Sequence, residues 1–99
     1  MAYKLKITPS AEKDLDQIFS YLINEIENER YARKFKVKLY EGYTQICNLP
    51  ESCPISLQND KFRKLNVDKY LVFYQYDKKR KMIIVSRIFH GMMDYAKYL

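Results

Sequence analysis

The sequence is poor in the residues that interrupt or cross-link a chain. Its 99 residues include two glycines, three prolines, two cysteines, a single histidine and no tryptophan. This length leaves room for one hydrophobic core, and no linker-like tract divides it, so we expect a single domain over residues 1–99. Cys47 and Cys53 lack a paired metal-ligand spacing. We expect reduced thiols rather than a disulfide or a metal site, and we predict no metal and no cofactor.

Long hydrophobic runs are also missing. No apolar segment approaches the roughly 20 residues that are needed to span a bilayer. The N-terminus begins MAYKL and moves directly into alternating residues, without an apolar stretch of signal-peptide length. These absences predict a cytoplasmic protein with no membrane partner.

Positive charge is in excess. The formal net charge is +6, which favours polyanionic partners, either nucleic acid or an acidic protein. Residues 51–99 hold ten Lys or Arg and five Asp or Glu, a net of +5, so the excess lies mostly in the second half. In the first half, six acids and one base within residues 12–29 precede five bases and no acid within residues 30–38. We interpret these two blocks as solvated helix faces that attract each other across a turn.

The first half predicts one strand followed by two amphipathic helices. Residues 3–7 alternate between apolar and polar, as in a strand. Thr8 is suited to cap a helix, and Pro9 is suited to its first turn, where no amide donor is needed. Apolar residues then recur at steps of three and four up to Asn28, a suitable cap for a second helix, and again beyond it.

The second half predicts three strands. The first is short, residues 62–65, and the two long ones, residues 70–76 and 82–89, form a hairpin around a polar turn. The long strands are apolar on both faces, so we expect them at the centre of the sheet. A short helical turn capped by Asp94 is expected near the C-terminus. The predicted fold class is α+β, in the order β-α-α-β-β-β, with a helical hairpin packed on a mainly antiparallel sheet.

Three segments of the chain resemble the toxins of the RelE/ParE superfamily, and its ParE-like members in particular. They are ITPSAEKDLDQI at residues 7–18, RKLNVDKYLVFYQYD at residues 63–77 and VSRIFHGMMDY at residues 85–95. The resemblance implies the toxin of a bacterial type II toxin–antitoxin pair, neutralised by a cognate antitoxin whose C-terminal segment wraps the toxin. A groove beside the helical hairpin and a free sheet edge are the expected docking places for that segment.

The superfamily acts in two ways. RelE-like members cut mRNA on the translating ribosome, whereas ParE-like members inhibit DNA gyrase. Ribonucleases of the family commonly carry an arginine just after the tyrosine that opens the long strand, and a basic residue just past the last strand. Here those positions are Leu71 and residues 91–93, GMM. The differences favour gyrase inhibition, with a ribosome-dependent endoribonuclease and a degenerate, non-toxic member as the alternatives.

A ribonuclease of this class would need a base for the 2′-hydroxyl proton, cations for the scissile phosphate and an acid for the leaving oxygen. His90 is the only ordinary side chain in the sequence that titrates near neutral pH. If the chain is a ribonuclease, the catalytic candidates are His90, Arg63, Lys64 and Tyr95. The structural alternative is that His90 hydrogen-bonds the backbone where the last strand ends.

A protein-directed inhibitor would instead need an exposed contact surface. The candidate target-binding residues run from the last strand to the C-terminus: Arg87, Met92, Met93, Tyr95 and Tyr98. Arg87 alternates with Ile83, Val85 and Phe89, which places it on an apolar strand face. We therefore expect Arg87 to form a structural ion pair, either with Asp94 or with an acid of the first helix.

Overall fold

The computed structural model describes residues 2–25 and 28–92, and it has the predicted α+β architecture. Its elements, in chain order, are β1 (Lys4–Ile7), α1 (Pro9–Ser20), a π-helical turn (Tyr21–Glu25), α2 (Glu29–Asn48), β2 (Arg63–Val67), β3 (Tyr70–Asp77) and β4 (Met82–His90). The helical turn expected after Asp94 lies outside the described residues.

Both predicted helix caps are confirmed. The Thr8 hydroxyl oxygen accepts from the Ala11 N–H at 3.2 Å and Pro9 occupies the first turn of α1. The same hydroxyl donates to the Ser86 carbonyl of β4 at 2.9 Å. Asn28 accepts from the Tyr31 N–H at 2.9 Å at the start of α2. The Thr8 cap therefore also fixes the position of α1 against the sheet.

The sheet has the order β1-β4-β3-β2. β1 pairs in parallel with β4, while β4 with β3 and β3 with β2 are antiparallel. The two long strands are therefore central, as predicted. Both helices pack on one face of the sheet, and the side chains between these layers form the main core, which includes Phe35, Leu39, Ile46, Val72, Tyr74, Ile83 and Val85.

The alternation predicted for Arg87 holds for Phe89 but is wrong for Ile83 and Val85, because a β-bulge interrupts β4. Phe73 pairs with Arg87 but Tyr74 pairs with Val85, so one extra residue lies between them in β4. Val85 belongs to the core beneath the helices, whereas Phe89 packs with Phe73 on the opposite face. The bulge changes which residues face the helices, since a shift of one residue moves a side chain to the other side of a strand.

Candidate functional site

A groove opens at the carboxyl end of β4, where the helices meet the sheet. Its volume is about 790 Å³. α1, the π-helical turn, the start of α2, the β2–β3 turn and the last residues of β4 all contribute to its walls. π-Helical turns are rare in proteins, and those that occur are often found at functional sites. The aromatic residues that line the groove are Tyr21, Tyr31, Tyr70, Phe89 and His90.

An ion pair between Asp14 and Arg87 forms one wall of the groove. Arg87 Nε and Nη2 donate to the two Asp14 carboxylate oxygens at 2.8 and 3.1 Å, and the Ile88 N–H donates to Asp14 Oδ2 at 3.0 Å. The Arg87 guanidinium also lies 4.5 Å from the centre of the Phe89 ring. The predicted ion pair with an acid of the first helix is therefore confirmed. The expectation of solvated acids in residues 12–29 is wrong for Asp14, which is buried.

His90 makes the backbone contact that the structural alternative predicted. Its Nδ1 accepts from the Met92 N–H at 3.1 Å, and its ring stands edge-on to Tyr70, with 5.3 Å between the ring centres. A neutral imidazole that accepts at Nδ1 carries its proton at Nε2. In this arrangement the Nε2–H of His90 can act as a hydrogen-bond donor. The lone pair on its Nδ1 already accepts from the Met92 N–H.

The other two described catalytic candidates lie elsewhere on the sheet. Arg63 pairs with Tyr74 and His90 pairs with Tyr70, which separates them by four residues, or about 13 Å, along β3. Arg63 donates from Nη1 to the Cys53 carbonyl at 2.7 Å. Lys64 is opposite Phe73, and paired residues share a face, so it lies on the side away from the helices. The structure does not bring Arg63 or Lys64 to His90.

The C-terminal candidates begin beside the groove. Met92 is 89% exposed, two residues after His90. The remaining predicted contact residues, Met93, Tyr95 and Tyr98, lie outside the described residues. Arg87 and Met92 are therefore the two members of the predicted target-binding set that the structure places at the same end of β4.

Tyr31 and Lys69 are among the groove residues that the sequence did not predict as site residues. The Tyr31 hydroxyl donates to the Asp68 carboxylate, which raises the pKa of Tyr31 to about 12 and lowers that of Asp68. The Lys69 carbonyl accepts from the Gly91 N–H at 2.9 Å. The short segment of residues 66–69 between two predicted strands was the available signal. Tyr70 pairs with His90, so Lys69, the residue before Tyr70, lies beside the end of β4.

A second, smaller groove of about 470 Å³ lies between α2 and the edge strand β1. Leu5, Tyr40 and Tyr43 line it, and the Leu5 and Tyr40 side chains are exposed. The Tyr43 hydroxyl is buried and has no hydrogen-bond partner among the described residues, and burial raises its pKa. At this edge, the side of β1 that faces away from β4 pairs with no strand of the described residues, and exposed apolar side chains lie beside it.

Within residues 2–25 and 28–92, no group of three or more His, Cys, Asp or Glu side chains is placed to hold a metal ion. No helix in that part is both long enough and apolar enough to cross a bilayer.

The family model for the ParE toxin of type II toxin–antitoxin systems matches residues 5–95. The chain belongs to this family. The predicted RelE/ParE-type toxin is thereby confirmed, and the protein is the toxin component of a type II toxin–antitoxin system. No curated protein sequence matches the chain significantly.

Solved structures of RelE and ParE toxins share the fold of this ParE-family chain. The chromosomal ParDE system of P. aeruginosa is 22% identical, with a TM-score of 0.70, and 90% of this chain and 96% of that one are covered. A mutant of the E. coli toxin RelE in the free state is 14% identical, with a TM-score of 0.68 and coverages of 99% and 93%. The RelBE2 toxin–antitoxin complex of Mycobacterium tuberculosis is 15% identical, with a TM-score of 0.63 and coverages of 91% and 99%.

Proposed function

We propose that this toxin acts by binding and inhibiting DNA gyrase, and not by cutting RNA. The observation that carries the proposal is that the polar groups at the end of β4 already hold the fold together. Asp14 and Arg87 bind each other, and His90 Nδ1 binds the Met92 backbone. A ribonuclease would need a base with a free lone pair and cations around the phosphate, and Arg63 lies about 13 Å away along the strand.

A protein-directed inhibitor needs anchors and a shaped surface, and the groove provides both. Tyr21 is exposed on its rim and Met92 projects from its end. Flexible Met side chains and large aromatic rings are frequent in protein contacts. We assign target binding to this rim together with the C-terminal candidates Met93, Tyr95 and Tyr98.

A supercoiling assay with purified gyrase tests this function. We expect the wild-type toxin and His90→Ala to inhibit gyrase equally, and removal of residues 92–99 to abolish inhibition while the thermal melt remains cooperative. The same preparations are added to translating ribosomes with a labelled mRNA. If the wild-type toxin cuts the message and a folded His90→Ala variant does not, the gyrase proposal is wrong.

The alternative function, a ribosome-dependent endoribonuclease, has one feature in its favour. The β2–β3 turn places Lys69 in the same groove as His90 and Tyr31, so a cation and a phenol lie near the imidazole. If this site cuts RNA, Lys69→Gln should lower the cleavage rate by roughly 100-fold, the usual cost of one aimed donor. Lys79→Gln, on the exposed β3–β4 turn, is the matched control.

We further propose that a small antitoxin with an acidic C-terminal tail neutralises the toxin at the β1 edge. A tail that added a strand beside β1 would pair with its free backbone groups and set apolar side chains against Leu5 and Tyr40. Its acidic residues would lie close to Lys4 and Lys6. Calorimetry with the product of the adjacent gene tests this, and we expect Leu5→Asp to weaken the complex at least tenfold. An absence of binding by the wild-type toxin would contradict it.

A further inference from the structure

The outer face of α2, opposite the core, carries a row of cations. Arg30, Arg33, Lys34 and Lys38 recur at helical spacing and are all exposed. We call these four residues the α2 cation row. Because an α-helix rises about 1.5 Å per residue, the row extends over about 12 Å. It borders a shallow depression of about 730 Å³, in which Val37 is the one aliphatic side chain among the described residues.

Two members of the α2 cation row have carboxylate neighbours. Arg33 Nη2 lies 3.5 Å from Glu29 Oε2, with both side chains more than 70% exposed. Lys38 Nζ lies 3.7 Å from Asp68 Oδ1. The Arg33–Glu29 pair is exposed, and exposed pairs are weak and salt-sensitive, so Arg33 is readily available to a competing anion. The Lys38–Asp68 pair is less exposed, since the Asp68 side chain is 25% exposed. The other two members are in no ion pair with the described residues.

The position of the row on the helix adds to its positive potential. α2 is 20 residues long and begins at Glu29, so the row starts within its first turn. The N-terminus of a helix carries partial positive charge and favours phosphate groups. The carboxylate of Glu41, which also borders the depression, marks the far end of the row.

The residue types of the α2 cation row favour one kind of polyanion, duplex DNA, over an acidic protein or RNA. It contains no aromatic residue and borders a single aliphatic side chain, so it lacks the buried anchor of a protein interface. Single-stranded RNA is bound mainly by stacking on aromatic rings, and the major groove of duplex RNA is too narrow to admit side chains. B-form DNA has a major groove that accepts a helix. Each of its strands advances about 3.4 Å along the duplex axis per phosphate and winds around that axis, so a row of about 12 Å can contact two or more phosphates.

We propose that the α2 cation row binds the phosphate backbone of duplex DNA without sequence preference. The proposal goes beyond inhibition of gyrase and does not depend on it, because the contact requires no other protein. If the toxin does act on gyrase, this face adds a second point of attachment to the enzyme's DNA.

Fluorescence anisotropy with a short, labelled, mixed-sequence duplex DNA tests the proposal on the purified toxin. Arg30→Gln/Lys34→Gln should weaken binding roughly tenfold and reduce the salt slope by about 2, since each phosphate contact contributes about 0.9. The matched control is Lys79→Gln/Arg80→Gln, which removes one Lys and one Arg from the exposed β3–β4 turn. It should weaken binding less than about twofold. Circular dichroism melts establish that both variants are folded, and Gln is well tolerated in helices.

A variant of opposite sign sharpens the test. Glu41→Gln removes the carboxylate at the end of the row and should tighten DNA binding by about two- to threefold, whereas Glu12→Gln on α1 should not. Equal losses for the two double variants would mean that net charge alone drives binding, and the proposal would fail. It would fail equally if duplex RNA of the same sequence, or polyglutamate, bound more tightly than DNA through the same residues.

Discussion

The two helices carry ion pairs of opposite character. On α1, Asp14 meets Arg87 through two contacts of 2.8 and 3.1 Å, and the side chains are 11% and 29% exposed. On α2, Glu29 meets Arg33 through one contact of 3.5 Å, at 72% and 80% exposure. Burial decides the role of each pair. The α1 pair joins helix to sheet and shapes the groove, whereas the α2 pair leaves its charges available to a partner.

The largest expected effect comes from breaking the α1 pair. Asp14→Ala removes the acceptor of three hydrogen bonds, including that of the Ile88 N–H. Breaking this pair, in which Asp14 is buried and Arg87 is partly buried, should lower the free energy of unfolding by about 2–4 kcal/mol, measured by urea denaturation. Asp16→Ala, an exposed acid on the same helix, should cost less than about 0.5 kcal/mol. Equal, small losses at both sites would remove the contrast between the helices.

The next effect concerns the cap that holds α1 on the sheet. Thr8→Ala loses both the cap to Ala11 and the bond to the Ser86 carbonyl. We expect the free energy of unfolding to fall by about 1–2 kcal/mol. Thr8→Ser keeps the hydroxyl and should recover most of that loss in a thermal melt. A serine variant as unstable as the alanine variant would show that the hydroxyl is not responsible.

A smaller, pH-dependent effect is expected where α2 meets the β2–β3 turn. The bond between Tyr31 and Asp68 raises the pKa of Tyr31 to about 12 and lowers the pKa of Asp68. For Tyr31, the stabilisation is complete below the unfolded pKa of about 10 and is lost as the pH rises through the folded value. For Asp68, it is present above about pH 3.9 and is lost as the pH falls through its lowered value.

Tyr31→Phe tests both ends of this pH range. The variant should no longer lose stability as the pH rises from the unfolded to the folded pKa of Tyr31. It should also return the pKa of Asp68 towards its ordinary value. An NMR-monitored titration of the Asp68 carboxyl measures the second change directly. An unchanged Asp68 titration in the variant would contradict the bond.

The smallest effect is expected on α2. Arg33→Gln breaks an exposed pair between residues four apart in the helix. Such pairs are worth about 0.3–0.5 kcal/mol and are screened by salt. We therefore expect a melting temperature within about two degrees of the wild type, and no difference at high salt. A loss as large as that of Asp14→Ala would mean that α2 uses its surface charges for stability.

Local signals in the sequence predicted the elements well. Thr8, Pro9 and Asn28 mark helix starts through contacts with residues two or three positions away, so a short window contains the necessary information. The two apolar strands were correctly placed at the centre of the sheet. Each of these features depends on capping or on the periodicity of neighbouring residues.

The candidate site was harder to predict, because it depends on contacts between distant parts of the chain. Asp14 and Arg87 are 73 positions apart, and the sequence suggested only that the partner was either Asp94 or some acid of the first helix. The β-bulge at Ser86 has no local signature, so the face of Arg87 was assigned wrongly relative to Val85. Lys69 lines the groove because the register of β3 with β4 pairs the next residue, Tyr70, with His90. The sequence identified the side chains with suitable chemistry, but it did not predict which of them lie together in the folded protein.

The parallel pairing of β1 with β4 has a consequence for biosynthesis. Within the part of the chain that the structure describes, the first strand has the last strand as its one neighbour in the sheet, with pairs from Lys4↔Met82 to Ile7↔Val85. During translation it must therefore wait, unpaired, until β4 has emerged from the ribosome. Contacts of such high sequence separation slow folding. The toxin is expected to become active only after nearly all of its chain has been made, which gives a neutralising protein time to meet it before it is complete.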